Sequence, residues 1–416
     1  MIHMNKLSTA GFLFSVLLLT ACNNEPAKQT TTVAPADPAK GTYAYDLNFL
    51  KKANPDIVEL QNDSGTSKLL ICPRYQGRVM TSTANGVNGN SFGWINYDLI
   101  SSGQIKQHIN PVGGEERFWL GPEGGQYSIF FSKGDSFNLA HWWVPGFLDT
   151  LSYHLDSGAS KSQAVFSKNA TFANYSGTPF SIEISRKITV LDKAQLEERL
   201  KTSVPAGVKF IAYETDNRVK NVGEKDWKKQ TGLVSIWLLG MMNPSDETKV
   251  IVPFRPIPKA RTFITDNYFG AIPSNRLNVK DSVLYFRCDG KARGKIGISP
   301  KVAKPIAGSF DFARNILTII VPVVDKEKPY VNSKWELQKN PYEGDVINSY
   351  NDGPQQDGTQ MGPFYEIESS SAARELKKNE VMEYRQTTCH FEGDYQAMSN
   401  LAKQLLGVSL DEVKQW

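Results

Sequence analysis

Ser181–Leu191 reads SIEISRKITVL. Ile182, Ile184, Ile188 and Val190 share one parity, the two-residue repeat of a strand with one buried face, apart from a local irregularity. Similar short runs, rich in β-branched and aromatic residues, recur on both sides of it. They are Lys68–Cys72, Arg78–Thr83, Tyr127–Ser132, Val208–Glu214, Leu233–Met241, Lys249–Phe254, Ser282–Arg287, Ile316–Val324, Phe364–Ser369 and Val381–Phe391. Gly, Pro, Asn and Asp clusters separate them, as turns separate strands. Helical spacing is confined to Tyr43–Ala53, to Lys193–Lys201 after the candidate N-cap Asp192, and to Ala397–Leu406 before Gly407. Many strands, few helices and no strand–helix alternation predict an all-β chain folded as a large sandwich. Asn217–Gln230 (NRVKNVGEKDWKKQ) is polar enough for a linker or a long hairpin connection; the strands on either side look alike, so residues 43–416 are read as one domain.

The 416 residues are 40% hydrophobic and 22% charged, which supplies a sizeable core and excludes global disorder. A formal charge of +4, dispersed along the chain, does not point to nucleic acid. Five His and four Cys exclude a multi-zinc scaffold or a dense disulfide framework. Eight Trp and sixteen Tyr exceed what packing usually demands and suggest a face that stacks on a ligand.

The start of the chain is read as an address. Lys6 precedes the apolar stretch Ala10–Leu19, too short for a permanent membrane helix, and Leu19-Thr20-Ala21-Cys22 follows. That tetrapeptide resembles the lipobox of bacterial lipoproteins. The resemblance implies a signal peptide over residues 1–21, acylation of Cys22, and a lipid anchor as the only membrane contact. The expected location is the cell envelope at the outer membrane, with the periplasmic or surface face left open. Asn23–Gly41, with three prolines and no large apolar residue, completes a flexible tether over residues 22–42. Cys72, Cys288 and Cys389 remain and allow at most one disulfide; they are read as small buried hydrophobes.

Three stretches could carry chemistry. Gly113–Gly125 (GGEERFWLGPEGG) sets Glu115, Glu116, Arg117, Trp119 and Glu123 between two Gly pairs. Such a loop could bond sugar hydroxyls and stack on a pyranose ring, or it could be a tight hairpin with a core Trp. It lacks the Gly-Lys-Ser/Thr of a phosphate loop. Ala140–Phe147 (AHWWVPGF) offers His141, Trp142 and Trp143 as part of a sugar platform, with His108 as another candidate titratable group. Asn351–Glu368 (NDGPQQDGTQMGPFYEIE) brings Asn351, Asp352, Asp357, Glu366 and Glu368, oxygen ligands that could hold Ca²⁺ at a spacing unlike an EF-hand; no other cofactor is expected. Glu366 and Glu368 lie two apart on a predicted strand and share a face, which raises one pKa as acid–base work requires. No Gly-x-Ser-x-Gly elbow, His-Glu-x-x-His or dinucleotide fingerprint occurs.

Taken in order, Arg74–Thr81 (RYQGRVMT, with Arg78 after Gly77), the Gly-Gly–Trp–Pro–Glu stretch of residues 113–125 and Phe364–Phe391 resemble the galactose mutarotase-like superfamily, and within it uncharacterised lipoproteins of Bacteroidetes. The resemblance implies a β-supersandwich. It also implies aldose 1-epimerase chemistry, in which a strand glutamate takes the proton of the C1 hydroxyl while a histidine protonates the ring oxygen. By its place in the closing strands Glu368 matches that glutamate. The family's His-x-Tyr-Phe-Asn motif is absent, leaving His108 or His141 as spatial substitutes. Arg78, Arg117, Trp119, Glu123, Trp142 and Trp143 are the expected sugar contacts. The readings that stand side by side are an enzyme of this kind, a polysaccharide lyase or hydrolase on the same scaffold, and a glycan-binding lipoprotein without turnover.

Overall fold

The computed structural model describes residues 37–355 and 357–416; the leader, Cys22 and nearly all of the tether lie outside them. The regular structure is mainly β, in three antiparallel sheets. The largest runs edge to edge through Leu277–Lys280, Val283–Arg287, Thr248–Pro253, Ala307–Asp311, Ile316–Pro322, Val381–Glu392, Lys209–Asn221, Pro179–Val190, Gln163–Ala173 and His154–Leu155. A six-stranded sheet runs through Ile264–Thr265, Gly294–Ile298, Ile347–Asn351, Tyr365–Ser370, Ser235–Met242 and Arg117–Gly121. Val58–Gln61, Lys68–Cys72 and Arg78–Thr83 make a three-stranded sheet. Pro38–Trp416 forms one compact unit.

Strand alternation decides what each face touches. Phe118, Leu120, Ile236, Leu238 and Ile367 leave one side of the six-stranded sheet and are buried with Ile182, Ile184, Val219, Val250 and Ile320 of the ten-stranded one. Polar pairs cross the same interface: the hydroxyls of Ser309 and Tyr365 lie 2.8 Å apart, and the Ser369 hydroxyl donates to Gln386 at 2.7 Å. The far side of the ten-stranded sheet (Ala212, Ile251, Phe310, Leu317, Phe391) is covered by three amphipathic helices. These are Lys193–Leu200, Tyr395–Leu406 and Leu410–Lys414, contributing Leu196, Leu401, Leu410 and Val413. Asp192 caps the first through a full capping box, and Gly407 ends the second in the left-handed region.

The sandwich class and the helices Tyr43–Ala53 and Lys193–Leu200 follow the sequence reading. Tyr127–Ser132 does not form a strand. Ser128 donates to Glu123 O at 2.5 Å, and the loop sinks Phe130 and Phe131 among Trp119, Trp142, Phe137 and Trp335. Aromatic packing there outweighs β-propensity. Asn217–Asn221 is no linker but the end of a thirteen-residue strand, whose polar Asn217 and Asn221 are buried and hydrogen-bonded.

Candidate functional site

The side of the six-stranded sheet turned away from the core carries the charges. Registers place Lys295 opposite Tyr350, Tyr350 opposite Glu366, and Glu368 opposite Leu239. Arg117 lies on the other side of Leu239, and Trp119 opposite Trp237. Cross-strand partners share a face. Strands far apart in sequence thereby bring Lys295, Tyr350, Glu366, Glu368, Trp237, Arg117 and Trp119 to one surface. Loops close over it to leave a cavity of about 520 Å³. Trp119, Trp142, Trp237 and Trp335 line it, as do Phe269 and Tyr350. Four of the eight tryptophans are therefore gathered here, which accounts for much of the aromatic excess.

Two buried ion pairs form the floor. Arg117 Nη2 donates to Glu366 Oε1 at 2.8 Å, and the guanidinium lies over Trp119, 4.3 Å from the ring centre. Lys295 Nζ and Trp237 Nε1 both donate to Glu368 Oε2, at 2.9 and 3.0 Å. Burial alone would lower the Lys295 pKa, but Glu368 and Glu123 beside it hold the ammonium above its ordinary value. Three carboxyls (Glu123, Glu366, Glu368) thus surround two cations. That excess of acid, in a desolvated setting, favours keeping one proton. Burial, against the pull of Arg117 and with Glu368 pushing the same way, raises Glu366 to about 7. Glu123 is also raised, first by burial. Among the described residues Arg117 Nε, Trp142 Nε1 and Glu368 Oε1 are buried without a hydrogen-bond partner. Unmet polar groups of this kind are costly unless a ligand or water meets them.

Glu366, not Glu368, lines the cavity; Glu368 is 0% exposed and sits behind Lys295. His108 also lines the cavity, on a loop whose Asn110 is gripped by Asp149 at 2.7–3.2 Å. Its Nδ1 lies 2.7 Å from the Trp142 carbonyl. A carbonyl only accepts, so Nδ1 carries the hydrogen and Nε2 is the nitrogen left for other partners. Arg117, Trp119, Glu123 and Trp142 also stand in the lining.

Three expected residues stand elsewhere. Arg78 is buried in the interior, donating to Gly113 O at 2.8 Å and to Gln76 at 3.0 Å; desolvation lowers it to about 10. His141 is exposed at the end of the short 3₁₀ turn Leu139–His141 and does not line the cavity. Trp143 is 43% exposed and packs behind His108, ring centres 4.5 Å apart. The Gly113-Gly114 pair serves chain packing: a Cβ on Gly113 would lie 2.1 Å from Trp94 O. Glu115 and Glu116 are interior. Glu115 bonds Ser82 and His390, each at 2.8 Å, and Glu116 pairs with Arg186 at 2.8 Å.

Three of the five residues considered for Ca²⁺ direct side-chain oxygens at protein donors. Asn351 accepts from Gly290 N, Asp352 from the Tyr350 hydroxyl and Gly362 N, and Asp357 from Thr359. Among the described residues no group of three or more His, Cys, Asp or Glu is arranged to hold a metal. Cys72, Cys288 and Cys389 are free and buried.

Sequence reasoning missed Lys295, Trp237, Trp335 and Arg293. Gly294–Ile298 (GKIGI) is a strand too short and glycine-rich to announce itself, and Trp335 stands on an irregular loop.

A family model described as a family of unknown function (DUF6786) matches residues 41–416. No curated protein matches the chain. Among solved structures it is similar to the Slr1438 protein of Synechocystis sp. PCC 6803, with 11% identity and a TM-score of 0.49 over 81% of this chain and 96% of that one. It is also similar to a galactose mutarotase-like protein of Lactobacillus casei ATCC 334, with 11% identity and a TM-score of 0.47 over 80% and 99%. A galactose mutarotase-like protein of Clostridium acetobutylicum shares 13% identity at a TM-score of 0.42 over 81% and 98%.

Proposed function

We propose, for a chain that belongs to the DUF6786 family of unknown function, a carbohydrate site that moves protons at a sugar's anomeric centre. The observation that carries this reading is the make-up of one cavity: four tryptophans in the walls, and a floor of carboxyls and cations with buried polar atoms left unmatched. Indole faces suit the C–H faces of a pyranose, while its hydroxyls both donate and accept. Sugar hydroxyls would satisfy Arg117 Nε and Trp142 Nε1, whose side chains line the cavity.

In this mechanism Glu366, with a pKa near 7, accepts the proton of the C1 hydroxyl. The imidazolium of His108, whose Nδ1 is anchored on Trp142 O, gives its Nε2 proton to the ring oxygen. The C1–O5 bond breaks as the C1 carbonyl forms. Rotation and reclosure on the other face return both protons. Arg117 holds Glu366 in place, and Lys295 balances Glu368 behind it.

Anomeric exchange of mono- and disaccharides, followed by NMR with the full chain in detergent, tests the reading. Exchange should accelerate, and Glu366→Gln should abolish the acceleration while sugar binding persists. One observation favours a second reading, binding without turnover: the Glu366 carboxylate is already engaged by Arg117 at 2.8 Å. Line broadening by particular sugars, without acceleration in either protein, would replace the first reading with the second.

A further inference from the structure

The cavity's charges separate by depth. Deep in it, Arg117 and Lys295 are each engaged by a glutamate. Nearer solvent, the lining includes two exposed cations, Arg293 and Lys106, and among the described residues neither forms an ion pair. The lining acids are Glu123 and Glu366, both members of the deep group. A ligand entering this cavity therefore meets two cations that form no ion pair with the lining acids.

Arg293 is held as a fixed fork rather than a solvated chain. It immediately precedes the strand Gly294–Ile298, and its guanidinium lies 3.8 Å from the centre of the Phe269 ring. Phe269 is itself 44% exposed and lines the cavity. Arg293 Nε donates to the Tyr350 hydroxyl at 3.3 Å, and that hydroxyl donates to Asp352 at 2.6 Å. The other Asp352 oxygen accepts from Gly362 N at 3.0 Å. Stacking and the Nε bond fix the plane of the guanidinium, and among the described residues neither Nη group has a hydrogen-bond partner. That arrangement suits bidentate contact with a carboxylate, sulfate or phosphate.

Resting on the reading of this cavity as a sugar site, we propose that its ligand is an anionic carbohydrate and that Arg293 reads the anionic group, with Lys106 adding charge at the mouth. Arg293 here determines specificity and takes no part in proton transfer.

Matched pairs test it on the full chain in detergent at low salt: galacturonic acid against galactose, glucuronic acid against glucose, and glucose 6-sulfate and 6-phosphate against glucose. Titration calorimetry should give an acidic member roughly ten- to a hundredfold tighter than its neutral twin, the range of one charge-assisted contact. The pair with the largest gap identifies which anion is read. Arg293→Gln should collapse that gap, bringing the acidic sugar to about the affinity of its neutral twin for the same variant. Arg293→Lys, keeping charge without the fork, should recover part of the gap. Equal affinity for acidic and neutral sugars would overturn this inference while the sugar reading stands. A gap that survives Arg293→Gln would overturn the role of Arg293, and no binding by any sugar would remove both.

Discussion

Glu366 and Glu368 project from the same strand face two positions apart, yet their surroundings separate their roles. Glu368 gives one oxygen to both Lys295 and Trp237 and is sealed from solvent. Glu366 borders the cavity and has one guanidinium partner. Its folded-state pKa, about 7, lies above the ordinary value of 4.5, so the folded chain holds the proton more tightly than the unfolded one. The stability this confers is complete below pH 4.5 and is lost as pH rises through about 7. A shift of this size corresponds to about 3 kcal/mol. Urea unfolding between pH 4.5 and 8 should therefore show the unsubstituted protein losing on the order of 3 kcal/mol more than Glu366→Gln. Parallel pH profiles would show that Glu366 is not the group holding the proton. At this scale the sequence pointed to the strand face, but not to which of its two glutamates borders the cavity. Spacing reveals which side chains share a face, but desolvation depends on what the fold lays over them.

At the scale of elements, the strands that build the site depend on close backbone approach. Ser235–Met242 lies at the centre of the charged face, between the Arg117 and Glu366 strands. At Gly240 the chain Gly113–Glu116 crosses so near that an added Cβ would sit 2.5 Å from Glu115 O. A carbonyl in the backbone cannot swing aside as a side chain would. Gly240→Ala should therefore cost about 1–3 kcal/mol in denaturant unfolding, in the manner of core overpacking. It should also weaken sugar binding by displacing Arg117. Full stability in Gly240→Ala would show that the crossing is slack. The Ser181–Leu191 strand shows the same interplay of local pattern and neighbours. The break in its apolar parity is Arg186, which faces inward like the isoleucines. It is satisfied there by Glu116, Asn217 and the Gly77 carbonyl at 2.8–3.0 Å. Alternation located that strand and its buried face; the partner that lets an arginine occupy the face comes from seventy positions away.

For the whole molecule, the ten-stranded sheet separates two jobs. Its inner side supports the sheet that bears the cavity, and its outer side is closed by the helices Lys193–Leu200, Tyr395–Leu406 and Leu410–Lys414. Leu410 and Val413 are fully buried there, and Lys249 Nζ donates to the carbonyls of Val413 and Trp416 at 2.8 and 2.7 Å. Removing Leu410–Trp416 should lower stability by about 3–6 kcal/mol, the burial of two aliphatic side chains. Sugar affinity measured well below the unfolding temperature should stay within about twofold, since no residue of that segment lines the cavity. Stability lost together with affinity would mean that the two faces of the sheet are coupled.

What this sequence determined alone is local: the strand parities that make it an all-β sandwich, and helices marked by Asp192 and Gly407. Each of these depends on neighbours a few residues apart, where backbone periodicity and capping act. The tertiary structure decided which chemistry-bearing residues meet. Arg117 reaches Glu366 across 249 positions, and Lys295 reaches Glu368 across 73. It also carried Arg78 into the interior and His141 to the surface. Such pairings depend on strand order and register between distant segments, and the shifted pKa values depend on the burial those pairings create. Neither is encoded in the spacing of residues along one stretch of chain.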